Sequence, residues 1–456
     1  MRNIRVIAFN TIAQALRMRI AAVIILLLLI LLPIMSVVMT GDGTLLGKLQ
    51  SFSSYGLSLV NLLLCLFMVI ISCYTLSHDI RRRYLDMIVT KPIRRYQIVL
   101  GKFIGIVLLN LFLLTAFSLI VYGLTMMMPR LLEASQKQQA EANAKFFTAR
   151  QVVAPTIDEG DAKRRAESRF RALKESDRLP GSMSEIQVYQ ELLNQEKMAD
   201  KSVTVTAVKE WNFTNLKAST DPNDILFIRY KFNASPEPYD QQVFGQWRVG
   251  DLAQLKMGVQ RPQNPIYGVE RTESVRDQHE FAVPANCISE EGNLTVAFYN
   301  DPSMNNCTVI FDELDLLYRV GSFEHNLFRA VLLIAIRLIF LAAAGVFLST
   351  WLSFPVAVLA GILVYVIGLI NGFIAESIAG VSELFGVFYS IIRFLLYLIP
   401  RFDGPYDPAS YIVSGHVLSW TFLGSTFIIT IGIQSLLLIL LGVWIFHNRE
   451  IAKVTV

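Results

Sequence analysis

Charge is scarce in this chain: Asp, Glu, Lys and Arg make up 17% of its 456 residues, while 53% are apolar. That balance excludes a single ordinary soluble domain of this length and implies that much of the chain sits in lipid. Cysteine is nearly absent, with four residues, too few for a disulfide scaffold. The five histidines, His78, His279, His325, His416 and His447, are scattered and share no metal-ligand spacing with Cys or carboxylates. A phosphate loop is missing too. The nearest approach, GDGTLLGKL, has Asp42 where the first glycine is required and Leu49 in place of Ser or Thr. No hydrolase triad signature occurs, so nucleotide, metal and hydrolytic chemistry are not expected of this chain, and it is expected to bind no cofactor.

What the sequence has in abundance is long apolar runs. About 20 residues cross a hydrocarbon core as a helix, and Ile20–Met39, Tyr55–Leu76, Ile98–Met128, Leu327–Ser349, Val356–Ala375 and Leu418–Phe446 each reach that length. A seventh stretch, 379–399, holds Arg393 and ends at Pro400; it reads as a re-entrant or interfacial pair of short helices. The segment MRNIRVIAFNTIAQALRMR is too long and polar for the start of a cleaved signal, so the first span reads as a retained anchor. Its Ile4, Ala8, Ile12 and Leu16 fall at near-helical spacing among arginines, as in a helix lying along a membrane surface.

Charge is unevenly divided. Residues 130–326 hold 23 basic and 29 acidic residues, the remainder 18 basic and eight acidic. An acidic middle in a basic frame argues against nucleic-acid binding. The short segments on one side of the six spans carry 13 Lys and Arg, those on the other three. By the positive-inside rule both termini are cytoplasmic and residues 130–326 lie outside.

The inserted region changes texture along its length. Residues 130–201 are rich in Ala, Glu, Gln, Lys and Arg, as in solvated helices. Residues 202–326 alternate in short runs, SVTVTAV, ILFIRYKF, VFGQWRV, HEFAVP, LTVAFYN and TVIFD, separated by turn residues. These read as a β-sandwich, with Trp211, Phe227, Tyr230, Trp247, Phe281 and Phe298 as core in preference to a ligand platform, because aromatic residues at strand spacing are more often core. Cys287 and Cys307 flank LTVAFYN and are expected to form a disulfide if the region meets an oxidising compartment. The expected fold is therefore an α-helical integral membrane protein: spans one to three in 1–129, an external α+β domain in 130–326, and spans four to six with a re-entrant segment in 327–456.

The loop between spans two and three, SHDIRRRYLDMIVTKPIRRYQIVLGKFIG, sets Tyr84, Met87 and Ile88 among basic residues and a Pro92 turn. Apolar residues in such a loop fit a short helix that docks on a partner or the membrane surface. The segment resembles the membrane subunit of type-2 ABC exporters, especially the permease group associated with multicopper-enzyme maturation. The resemblance rests on His78-Asp79, the stretch 80–90, Lys91-Pro92 with Arg94 and Arg95, and Gly101-Lys102. It extends to IFLAAAGVFLSTWLSFPVAVLAGILVY and LLYLIPRFDGPYDPASYIV. It implies a coupling loop over 78–102, cytosolic ABC ATPase partners that carry ATP and Mg, a second permease copy or homologue as dimer partner, and a bacterial inner membrane. The large insertion departs from simple members of that group and leaves the substrate open. Transport, mechanotransmission to an external partner, and an anchored external scaffold are the three functional classes considered; six spans are excessive for the last.

Polar residues inside apolar runs are expensive and therefore informative. Arg337 falls in mid-span four, with Glu376 or a partner's carboxylate as candidate counter-charge; it reads either as a path-lining or dimer-contact residue or as a structural tie. Asn61, Asn110, Asn371 and Gln434 read as interhelical bridges.

Overall fold

The structure, a computed structural model, describes residues 2–81, 93–131, 135–156, 159–176, 184–216, 224–252, 264–379 and 382–448. Two compact units divide the chain: 1–149 with 321–456, and Arg150–Val320.

In the first unit, α1 (Arg2–Leu16) and α2 (Arg19–Val38) precede α3 (Leu45–Arg81), α4 (Arg95–Leu131) and the short α5 (Gln136–Lys145). After the second unit come α8 (Phe323–Ser349), α9 (Phe354–Ala379), α10 (Ser382–Leu398), α11 (Pro408–Ser414) and α12 (Trp420–Asn448). Six of these, α2, α3, α4, α8, α9 and α12, are long and apolar enough to span a membrane, the mark of a multi-pass membrane protein. Their placement follows burial. The most apolar stretches of α3 and α8 are 67% buried, against 17% for α2, whose Val23, Leu26 and Leu29 face outward. An apolar helix can leave that surface uncovered where lipid is the solvent. The run Ala342-Ala343-Ala344-Gly345 lets α3 approach α8 closely, since a Cβ on Gly345 would overlap Ser72.

The second unit is a β-sandwich with a helical hairpin. Its strands are β1 (Thr148–Val153), β2 (Ser202–Val203), β3 (Val208–Phe213), β4 (Ile225–Ser235), β5 (Gln242–Gly250), β6 (Tyr267–Ser274), β7 (Gln278–Pro284), β8 (Leu294–Tyr299) and β9 (Thr308–Ser322). One sheet runs β1-β9-β4-β7 with β2 also on β9; the other runs β3-β8-β5-β6. Rings from the two sheets meet in one core. Trp247 of β5 lies 4.5 Å from Tyr230, 5.5 Å from Phe281 and 5.6 Å from Phe311, all on the opposite sheet. The helices α6 (Glu159–Glu175) and α7 (Glu185–Lys201) pack through Ala166, Val188 and Leu192. Arg165 and Arg169 both hold Glu196, at 2.9 and 2.5 Å.

The structure departs from the sequence reading in four places. Residues 130–201 are not wholly helical: β1 interrupts them, and α5 belongs to the first unit, where Phe146 and Phe147 pack on Phe323 at 5.0 and 5.7 Å. The strands β3 and β6 and the second half of β9 add to the alternating runs. Segment 382–398 is one helix of 17 residues rather than a pair of short ones.

The expected disulfide is absent as well, and Cys287 and Cys307 are separate buried thiols. The register explains why. Pro284, just before Cys287, pairs with Ile225 at one end of β4, whereas Thr308, next to Cys307, pairs with Ser235 at the other. Eleven residues of strand lie between, roughly 30 Å at the usual rise, whereas a disulfide needs Cα atoms about 4.4–6.8 Å apart. Both cysteines serve as small apolar fillers of the sandwich core.

Candidate functional site

The loop resembling a coupling segment has its two stems in α3 and α4, and the stems are tied together. Lys102 of α4 is 3% exposed, and its Nζ donates to Asp79 Oδ2 at 2.5 Å and to the Thr75 carbonyl at 2.6 Å, both on α3. Gln14 of α1 reaches the other Asp79 oxygen at 3.5 Å. An ammonium in an apolar bundle is tolerated only because a carboxylate and a carbonyl take its protons. The pair therefore fixes the register of α3 against α4 at the point where the loop departs.

Gly101 serves a different purpose. A Cβ there would meet Ile7 and the Ile4 carbonyl of α1, and one on Gly105 would come within 2.6 Å of the Ala8 carbonyl. Facing them, α1 presents buried Ala8, Thr11 and Ala15, so two rows of small residues let the helix backbones cross closely. Arg95 reaches across to the end of α12, donating to the carbonyls of Phe446 at 3.3 Å and His447 at 2.7 Å; a guanidinium there satisfies carbonyls left open by the helix end. His78 turns elsewhere and stacks on Tyr74, with centroids 4.7 Å apart. Thus Asp79, Arg95, Gly101 and Lys102 converge on one end of the bundle, joining α1, α3, α4 and α12. Tyr84, Met87, Ile88, Lys91 and Pro92 lie outside the described residues.

The polar residues within the apolar helices fall into two groups. Asn110 donates to the Leu64 carbonyl at 3.4 Å, bridging α4 to α3, and Asn61 accepts from Cys65 at 3.5 Å within α3. Around the α9–α10 hairpin, Asn371 donates to the carbonyls of Leu396 and Ile399 at 3.1 and 2.8 Å. Arg337 donates to the carbonyls of Phe402 at 2.9 Å and Tyr406 at 3.1 Å and lies 4.6 Å from the Phe402 ring centroid. The expected pairing of Arg337 with Glu376 does not occur. Glu376 stands 3.7 Å from Arg401 instead, with an 80% exposed side chain, because Arg337 faces the turn after α10 whereas Glu376 sits in the last turn of α9. Arg337 ties down an irregular segment whose carbonyls have no helix to satisfy them.

Sequence reasoning missed Arg401, which lies 3.5 Å from Asp403, and it missed Asn326, which holds the loop before α12. Asn326 donates to the His416 carbonyl at 2.8 Å and accepts from the Leu418 amide at 3.0 Å. The available signal was a polar residue at the edge of an apolar run: Arg401 follows Pro400, and Asn326 precedes Leu327. Among the described residues no three His, Cys, Asp or Glu side chains gather as a metal would require.

No family model, no curated protein and no solved structure matches this chain.

Proposed function

We propose that the chain is the membrane-spanning permease subunit of an ABC exporter. In this reading it pairs with a second permease copy or homologue and with separate cytosolic ATPases that carry ATP and Mg. The observation that carries the reading is the tie at the base of the basic loop. Asp79–Lys102, Gln14 and Arg95 connect the loop stems to α1, α3, α4 and α12 at once. A push on residues between the stems would then move four helices as a body, which is what coupling to an ATPase requires. A loop that only set topology would need basic charge, not buried ties and an apolar Tyr84-Met87-Ile88 row.

Both termini are cytoplasmic in this reading, and the Arg150–Val320 unit is external. That unit has its own aromatic core, which favours a second reading on the same scaffold: ATP-driven movement is delivered to an external partner without transport.

The test is co-purification of the full chain with its ATPase from cells expressing both. Met87→Glu and Ile88→Glu should lower ATPase recovery about tenfold or more, since a charge in an apolar docking row leaves an unpaired buried group, while the chain still folds and inserts. Undiminished recovery and undiminished membrane-stimulated hydrolysis would overturn coupling through this loop.

A further inference from the structure

A cavity of about 410 Å³ opens between α9, α10, the turn after α10 and α12. Its walls are mainly apolar, with Ala375, Ile378, Leu396, Ile399 and Ile429 among them. Volume and lining match sites that enclose part of a small amphiphile. Three features mark it as more than a packing gap.

The first is Gln434, 8% exposed on the cavity wall. Its Nε2 donates to the Tyr397 carbonyl at 2.8 Å, which fixes the amide orientation, and its Oε1 then has no partner among the described residues. A buried carbonyl oxygen without a donor is costly, so the site asks for a ligand N–H or O–H. The second is the backbone that presents it. Residues Ile428–Ser435 form π-helical turns inside α12, a conformation rare in proteins and concentrated at functional sites. The third is charge, for Glu376, Arg393 and Arg401 are among the lining residues, with Arg393 over the Tyr397 ring. Arg401 meets Glu376 only at 3.7 Å, so the carboxylate, largely exposed, keeps most of its acceptor capacity.

An acceptor in the wall, a carboxylate and guanidiniums in the lining, and apolar sides between them make a zwitterion site with a greasy body. We infer that the cavity holds a phospholipid whose headgroup carries a primary ammonium, of the phosphatidylethanolamine type. The phosphodiester lies at Arg401 and Arg393, the ammonium donates to Glu376 and Gln434 Oε1, and an acyl chain lies along Leu396, Ile399 and Ile429. Phosphatidylcholine has the same charges but no N–H, so it satisfies neither acceptor. The assignment does not depend on pairing with an ATPase.

The experiment places one cysteine at Ala375, a partly buried position on the cavity wall, in the full chain reconstituted into vesicles. Maleimide labelling of Ala375→Cys should run about tenfold slower in phosphatidylcholine mixed with phosphatidylethanolamine than in phosphatidylcholine alone, the loss of one charge-assisted hydrogen bond corresponding to that factor. Adding Gln434→Leu or Glu376→Gln should remove the difference; Glu376 is exposed, so its variant leaves folding intact. Equal rates in the two lipids, or protection that survives both substitutions, would overturn the site. Equal protection by phosphatidylglycerol would overturn the ammonium assignment. Protection by soluble phosphoethanolamine in phosphatidylcholine vesicles would overturn a membrane lipid as the occupant.

Discussion

Lys102 and Asp79 illustrate how a single residue pair can be read from energetics. Neither charge survives alone in the bundle: truncating one partner of a buried pair leaves the other uncompensated, at about 3–5 kcal/mol. Lys102→Met and Asp79→Leu should therefore each lower the unfolding temperature of the detergent-solubilised chain markedly. The double variant should recover most of the loss, because two apolar side chains of similar size replace the pair. Thermal unfolding followed by size exclusion measures all three. If the double variant falls by the sum of the singles, the two residues are not coupled and the tie between α3 and α4 is wrong. The sequence made this pair partly legible, since His78-Asp79 and Gly101-Lys102 were among the positions that carry the family resemblance. That they meet could not be read, because contact across 23 positions depends on the crossing of α3 and α4.

At the level of elements, glycine spacing on α4 decides where α1 lies. Gly101 and Gly105 are one turn apart and leave a trough that a side chain would fill. Gly105→Leu should displace α1, destabilising the chain by about 1–3 kcal/mol through overpacking. Limited trypsin cleavage at exposed Arg17 should then accelerate in the solubilised protein; unchanged cleavage would mean that α1 is held elsewhere. The six apolar helices were legible because hydropathy over 20 residues is a strong signal. Their ends were less so: α3 begins at Leu45, ten residues before the apolar run, because Leu45, Leu49 and Phe52 form a helical stripe that composition dilutes with Gly, Lys and Gln.

Strands were legible where apolar residues alternated. The strand β6, with Glu270, Arg271 and Glu273 between smaller residues, is recruited by pairing with β5 rather than by its own pattern. The Cys287–Cys307 pair misled for a related reason: flanking a strand in sequence places two residues at opposite ends of an element in space. In the candidate site, Asn371 was recognised as a bridge and found as one, whereas the cavity around Gln434 depends on how α9, α10 and α12 converge. No single run encodes that.

For the whole molecule, parity and charge make one joint statement. If every one of the six helices crosses, three crossings separate residue 2 from Arg150 and three more separate Val320 from the end of α12. Both termini then share a side, and the β-sandwich unit lies on the other. In the proposed reading, the 13 to three excess of Lys and Arg puts the cytoplasm on the side of the termini. The acidic middle agrees, since 29 carboxylates against 23 basic residues meet no retention signal. Ser168→Cys on exposed α6 tests the assignment against a quiet background, because all four native cysteines are buried and burial pushes the Cys287 thiol up to about 12. At neutral pH such a thiol stays protonated and slow toward maleimide. A membrane-impermeant maleimide should label Ser168→Cys in spheroplasts without permeabilisation, and should label a cysteine at Arg17 only after it. The reverse pattern would place the sandwich in the cytoplasm. It would also put the Asp79–Lys102 tie on the external face, out of reach of any cytosolic ATPase, so one labelling experiment bears on orientation and on the coupling proposal together.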